Sequence, residues 1–208
     1  MITPSNTESV ATRTAATRIA RLATEILAPW VWVLGLPLAI AWSATHRVGA
    51  TLLWGLVVGV TGSIIPMIVI VRGAKNGKWD SHHVTNREGR VVPFIACTSS
   101  LAGGIAILVL GGSPNEMIVL ASTMFATLVV SVVITFGLNF KLSMHAGVAA
   151  GAVLILMAAY GPWLVLLSAA VALVAWSRVR LRDHTIAQVL VGALVGVVAG
   201  GLPYWWLA

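Results

Sequence analysis

Long, almost uncharged apolar runs alternate with short charged segments along this 208-residue chain. Between Val91 and Asn139 the only charged residue is Glu116, and 146–177 and 185–208 carry no charge at all. A helix needs roughly 20 apolar residues to cross a hydrocarbon core of about 30 Å, and lipid cannot satisfy an open backbone. The sequence therefore predicts an all-α, polytopic transmembrane helical bundle.

The apolar runs predict six to seven membrane spans. The segments are 28–45, 50–71, 91–110, 117–138, 145–160, 162–177 and 185–206. Pro29 and Pro37 interrupt the first segment, and only Gly161 and Pro162 separate the fifth from the sixth. The choice between six and seven spans therefore stays open. A charged fraction of 9% excludes an ordinary soluble domain, in which about a quarter of the residues are charged.

The basic residues indicate which side of the membrane each segment faces. Of the 13 Lys and Arg, all except Arg47 lie in the N-terminal tail, in 72–90, at 141 or in 178–182. If the N-terminus is cytoplasmic, all of these segments are cytoplasmic too, as the positive-inside rule requires. Orientation in the membrane therefore accounts for the net charge of +7, and no nucleic-acid partner is expected. The chain is expected to be an integral protein of a bacterial-type plasma membrane. The oligomeric state stays open.

Residues 1–27 are predicted to be an amphipathic cytoplasmic tail, ahead of one membrane-embedded domain at 28–208. The tail divides into an apolar helical face and a charged one. The apolar positions are Ala15, Ile19, Leu22 and Ile26, and the charged positions are Arg18, Arg21 and Glu25. A helix of this kind can lie on an anionic leaflet, and a solvated tail is the alternative.

Three polar segments, 75–90, 139–145 and 177–188, fall on the same predicted side. Together they supply Arg side chains for bidentate contacts to phosphate, hydroxyl donors, and His side chains able to act as nucleophile and acid. In the last helix, small residues follow the polar ones at every fourth position, which predicts that this stripe faces the bundle. The stripe is His184, Gln188, Gly192, Gly196 and Gly200.

The third segment reads Ser177-Arg178, five residues, His184, three residues and Gln188. It resembles the signature of the type 2 phosphatidic acid phosphatase (PAP2) family of membrane lipid phosphatases, which has Asp at the last position. The second segment, Leu142-Ser143-Met144-His145, resembles the family's Pro-Ser-Gly-His. The first resembles the family's Lys, six residues, Arg-Pro more loosely, as His83, six residues, Arg90 and Val91.

The resemblance, which covers about 80–190, implies a PAP2-type helical core and a role for each matching residue. His184 corresponds to the nucleophile that forms a phosphohistidine, His145 to the His that protonates the leaving group, and Gln188 to the Asp beside the nucleophile. The residues implied or expected to bind the phosphate are Arg90, Arg178, Ser143, His83, Arg87, Lys141 and Ser177. The family uses no metal, so no cofactor is expected, and the single Cys97 predicts no disulfide.

The departures from the family pattern alter the expected chemistry. Gln188 lies one turn after His184 and can fix its tautomer, but cannot stabilise an imidazolium by charge as Asp would. A weaker nucleophile is expected, or help from Asp183, Asp80 or Glu88. A His in place of Lys at position 83 makes phosphate binding there pH-dependent, because free imidazole titrates at about pH 6.5; the neighbouring Arg, Arg87, is expected to stand in.

The implied function is hydrolysis of a phosphorylated membrane lipid at the cytoplasmic leaflet. The candidate substrates are a polyprenyl phosphate or diphosphate, a polyprenyl-linked sugar phosphate, phosphatidic acid and phosphatidylglycerol phosphate. A catalytically silent lipid-phosphate binder or flippase is the main alternative. A Mg²⁺-dependent membrane phosphotransferase fits less well, because such enzymes cluster Asp residues around the ion, and Asp80 and Asp183 are about a hundred positions apart.

Overall fold

The computed structural model describes residues 4–77 and 91–208, with side chains from Thr14 onward. Over these residues the chain is helical and contains no strand, which confirms the all-α prediction. The helices are α1 (Pro4–Ile26), α2 (Pro29–Thr45), α3 (Val48–Lys75), α4 (Val91–Leu110), α5 (Asn115–Gly137), α6 (Met144–Tyr160), α7 (Pro162–Arg180) and α8 (Ile186–Leu207).

Five of these helices, α3, α4, α5, α7 and α8, are long and apolar enough to span a membrane. A sixth span arises if the Thr14–Ile26 part of α1 and helix α2, which meet at 42°, are counted together. The predicted first and fifth spans fall in α2 and α6, which have 17 residues each. Pro29 begins α2, and Gly161, which has a φ of 110°, ends α6, so both helices keep within one residue of the predicted bounds 28–45 and 145–160.

The outer surface of the bundle is apolar, as expected of helices in lipid. Leu110, Leu166 and Trp206 are among the many large apolar side chains that are exposed. The interior core lies where α2, α4 and α5 meet, and includes the fully buried Ile40 and Leu108. Exposed apolar area on this scale is stable only against lipid or another apolar surface.

Helix α6 lies at the centre of the bundle and contacts α2, α7 and α8. It is rich in buried Ala and Gly, so neighbouring backbones approach it closely. A Cβ on Gly151 would lie 2.8 Å from the Gly196 carbonyl oxygen, and one on Gly196 would overlap the Gly147 carbonyl oxygen. A Cβ on Gly192 would overlap the backbone before α6. The prediction that the glycine stripe of the last helix faces the bundle is therefore confirmed.

Helix α1 packs against α7 and is not detached from the bundle. Its buried side consists of the small residues Ala20, Ala23 and Thr24. The Thr24 hydroxyl donates a buried hydrogen bond of 3.1 Å to the hydroxyl of Ser177 in α7. The described part of the predicted tail is thus a docked helix, and not a solvated extension.

Candidate active site

The beginnings of α6 and α8 are joined by a direct backbone hydrogen bond. The Ser143 N–H donates to the main-chain carbonyl of Gln188 at 3.0 Å. This bond brings the second and third polar segments together, as the sequence predicted. The predicted residues of the first segment, His83, Arg87 and Arg90, lie outside the described residues.

The imidazole of His184 is held by Gln188. Nδ1 of His184 lies 3.0 Å from Oε1 of Gln188, which also accepts the main-chain N–H of Thr185 at 3.2 Å. The Thr185 hydroxyl in turn accepts the Gln188 main-chain N–H, which completes a capping box at the start of α8. Because an amide oxygen can only accept, Nδ1 carries the hydrogen, and Nε2 of the neutral ring carries the lone pair.

The turn after α7 positions Arg178. Arg182 has a φ of 61°, and the N–H groups of Arg182 and Asp183 donate to the carbonyls of Val179 and Arg178, at 3.0 Å and 3.1 Å. This is a Schellman motif. It folds Asp183 back so that its carboxylate lies 3.2 Å from Nη2 of Arg178. The sequence suggested Asp183 as an aid to the nucleophile, and the contact that the structure shows for its carboxylate is with Arg178.

Buried hydrogen-bond donors at this end of the bundle lack acceptors among the described residues. Arg178 is 1% exposed, and its Nε and Nη1 have no hydrogen-bond partner there. The hydroxyl of Ser143, the fully buried residue that precedes α6, has none either. Leaving a buried donor unsatisfied costs about 1–3 kcal/mol, and more for a charged group. For Arg178, which lines a cavity in the bundle, an anion would supply the missing acceptors.

A cavity of about 230 Å³ lies beside Arg178, between the helices of the bundle. His145, Arg178 and His184 contribute to its wall, and most of the other lining residues are apolar, such as Leu36 and Phe94. We call this space the apolar cavity. Its chemistry suits an amphiphile whose charged group lies beside the histidines and whose apolar part lies among the helices.

A second space of about 420 Å³ lies on the outer side of His184. We call it the polar pocket; its lining residues are Lys141, Val179, Arg182, Asp183, His184, Thr185 and Gln188. Among the described residues, His184 is the residue that lines both spaces. Its imidazole therefore lies at the boundary between an apolar and a cationic environment.

Ser177 and Lys141, two further residues predicted to bind phosphate, form hydrogen bonds with other parts of the protein. The Ser177 hydroxyl donates to the Val174 carbonyl at 2.7 Å and accepts from Thr24, so its hydrogen-bonding capacity is directed at α1 and α7. Lys141 donates to the main-chain carbonyl of Asp183 at 3.0 Å and lines the polar pocket. Its ammonium therefore contributes positive charge next to His184.

The assembled groups suit an oxyanion. The guanidinium of Arg178 and the imidazoles of His145 and His184 belong to residues that line one cavity, and they offer hydrogen-bond donors and a nitrogen nucleophile. Within the described ranges, no three His, Cys, Asp or Glu side chains are grouped as metal ligands.

The Arg178–Asp183 pair was not predicted from the sequence, nor was the role of Gly147 and Gly151 in the contact between α6 and α8. Thr185-Ile-Ala-Gln188 carried the signal of a capping box.

In comparisons with protein-family models, with curated proteins and with solved structures, nothing matches this chain. A function is therefore assigned from the residues of the site and the motifs that contain them.

Proposed function

We propose that the protein is a membrane-embedded lipid phosphatase of the PAP2 type, which hydrolyses the phosphate ester of a membrane lipid through a phosphohistidine. The observation that carries the proposal is that His145, Arg178 and His184, which match the family motifs, line the same apolar cavity, while Ser143, the residue before α6, is hydrogen-bonded through its N–H to the start of α8. The unsatisfied donors of Arg178 and Ser143 support an anionic ligand there.

The first step transfers the phosphoryl group to His184. Nε2 attacks phosphorus while the ester P–O bond breaks, and protonated His145 gives its proton to the departing lipid alkoxide. Arg178 and Ser143 donate to the non-bridging oxygens, where a loose transition state carries its charge. From the family resemblance, Arg90, with His83 or Arg87, adds further donors.

The second step releases inorganic phosphate. Neutral His145 takes a proton from water, the resulting hydroxide attacks phosphorus, and the P–N bond to His184 breaks. Gln188 keeps the hydrogen on Nδ1 in both steps, so Nε2 remains the reactive nitrogen. The lipid alcohol stays on the side of the apolar cavity, and the polar pocket offers water and phosphate a route past Lys141.

The substrate is a lipid with one terminal phosphate or diphosphate and a long apolar portion. A polyprenyl phosphate, a polyprenyl-linked sugar phosphate, phosphatidic acid and phosphatidylglycerol phosphate all meet this description. The distribution of Lys and Arg supports a site on the cytoplasmic face of a bacterial-type plasma membrane.

The decisive experiment measures phosphate release from these lipids by the full chain in detergent, with EDTA present. Release is expected from at least one lipid and is expected to disappear in His184→Ala. His145→Ala is expected to slow turnover, because it removes the acid of the first step and the base of the second, and any acid-labile phosphoenzyme that forms should be hydrolysed more slowly than in the parent protein. His46→Asn is the matched control, since it removes an exposed imidazole from the turn between α2 and α3. Full activity in both active-site variants would refute the assignment.

A lipid-phosphate binder without hydrolytic activity is the second candidate. The observation that favours it is the amide of Gln188 beside His184, where the family has a carboxylate. It predicts saturable binding of a lipid phosphate, dependent on Arg178, with no phosphate released and no phosphoenzyme formed. The same panel of lipids distinguishes the two candidates.

A further inference from the structure

Helix α1 presents three chemically distinct faces over its second half. The face against α7 carries Ala20, Ala23 and Thr24, all at most 7% exposed. A second face carries Ile19, Leu22 and Ile26, which are 55%, 61% and 57% exposed. The third carries Arg18, Arg21 and Glu25, which are all exposed. At about 100° per residue, the centres of these faces are about 100° to 140° apart around the helix axis.

Three faces of this kind match three different surroundings. The small residues fit a neighbouring helix, and the Thr24–Ser177 hydrogen bond fixes that contact. The large aliphatic side chains would be costly in water, at roughly 1.5–3 kcal/mol each. The charged side chains would be costly in hydrocarbon. A helix that is inclined by 42° to α2 and crosses the headgroup layer at the edge of the hydrocarbon satisfies all three faces at once.

Two exposed tryptophans mark the same level of the bundle. Trp176 immediately precedes Ser177, the partner of Thr24, and Trp30 follows α1 at the start of α2. Both are 40% exposed. Tryptophan is enriched where hydrocarbon meets the headgroups, so the positions of both side chains fit an interface beside the second half of α1 and the end of α7 that carries Arg178.

We propose that α1 is an interfacial docking helix for an anionic bilayer surface, in the leaflet next to the candidate active site. Ile19, Leu22 and Ile26 insert among the upper acyl chains. Arg18 and Arg21 contact anionic headgroups, and they outnumber the one acidic residue of the same face, Glu25. Through Thr24 and Ser177, the docked helix holds the end of α7 at the membrane surface, where a lipid phosphate would enter.

The test places spin labels on the full-length chain in vesicles. In a Cys97→Ser background, single labels are attached at Leu22→Cys and at Arg21→Cys, adjacent positions on different faces. In phosphatidylcholine vesicles containing phosphatidylglycerol, the label at 22 is expected to be accessible to oxygen and protected from a water-soluble nickel complex. The label at 21 is expected to show the reverse. A label at Leu53→Cys on the exposed side of α3 provides the reference for lipid exposure.

The anionic preference is tested with Arg18→Gln and Arg21→Gln in the protein labelled at position 22. Each replacement is expected to reduce the docked population relative to the undocked one by about fivefold, from the attraction of one basic side chain to an anionic surface. In vesicles of phosphatidylcholine alone, the docked population of the parent protein is also expected to fall relative to the undocked one.

Two results would overturn the proposal. Equal access of the nickel complex to both labels would show a solvated helix. Spin–spin broadening at position 22 that disappears when labelled protein is diluted with unlabelled protein would show that a second copy of the chain covers the aliphatic face. The labels report position and not turnover, so the outcome is independent of whether the protein releases phosphate.

Discussion

The side-chain oxygen of Gln188 lies 3.0 Å from Nδ1 of His184, so a neutral amide occupies the place where the family motif has a carboxylate. An amide oxygen orients the ring as well as a carboxylate does, but adds no negative charge to stabilise an imidazolium. The length of Gln also matters, because the same oxygen reaches the main-chain N–H of Thr185. Orientation and helix capping are therefore coupled in one side chain.

Replacing Gln188 separates orientation from charge. Gln188→Glu keeps the reach to His184 and Thr185 and adds a charge, so we expect phosphoenzyme formation to be maintained or accelerated. Gln188→Leu removes the acceptor, and a lost hydrogen bond of about 1–1.5 kcal/mol predicts a decrease of roughly tenfold. Rapid-quench measurement of the phosphoenzyme checks both. Equal rates in the two variants would show that Gln188 does not orient the nucleophile.

A methyl group at Gly196 is expected to separate α6 from α8. Its Cβ would overlap the Gly147 carbonyl oxygen, and overpacking of this kind costs about 1–3 kcal/mol or more. Gly196→Ala should therefore lower the thermal midpoint in detergent. Gly103→Ala is the matched control, because a Cβ there meets nothing within 4 Å, and its midpoint should stay near that of the parent protein. Equal midpoints for the two variants would contradict the close contact.

Arg182→Gly is expected to stabilise the turn after α7. Arg182 has a φ of 61°, and a residue with a Cβ pays about 1–2 kcal/mol in that region, whereas glycine does not. Arg180→Gly is the comparison, because Arg180 is the last residue of α7 and glycine in a helix is unfavourable by up to about 1 kcal/mol. Thermal unfolding should shift upward in the first variant and downward in the second. A downward shift in Arg182→Gly would mean that the side chain, and not the backbone, stabilises the turn.

Asp183→Asn is expected to make the protein more dependent on phosphate. The substitution weakens the 3.2 Å ion pair with buried Arg178, and a charge-assisted contact of this kind is worth roughly 1–2 kcal/mol when one partner is partly exposed. Inorganic phosphate that binds Arg178 should then raise the thermal midpoint more in the variant than in the parent protein. Glu116→Gln removes a carboxylate from the first turn of α5 and should leave the phosphate response unchanged. An unchanged response in Asp183→Asn would place the anion away from Arg178.

Part of this architecture could be predicted from the sequence because hydrophobicity and spacing are local signals. The apolar runs predicted the helices, and the four-residue spacing from Gly192 to Gly200 predicted the packed side of α8. The resemblance around Arg178 and His184 predicted that these residues share a site with His145, and all three line one cavity. Each prediction depended on residues near one another in the chain, or on a pattern repeated along one helix.

The remaining features depend on contacts between distant segments. Nothing in the local sequence indicates that the Ser177 hydroxyl bonds to Thr24, since the two residues are 153 positions apart. The pairing of Asp183 with Arg178 depends on the positive φ of Arg182, and the sequence does not indicate a positive φ at a residue other than glycine.

The position of His184 between the apolar cavity and the polar pocket has a consequence for ligand design. A compound confined to the apolar cavity meets mostly apolar side chains together with His145, Arg178 and His184, and one confined to the polar pocket meets Lys141, Arg182 and their neighbours. An amphiphile that carries a non-hydrolysable phosphonate at its midpoint, with an alkyl chain on one side and a second acidic group on the other, would contact both spaces across a single imidazole. Its selectivity would come from the distance between its two ends.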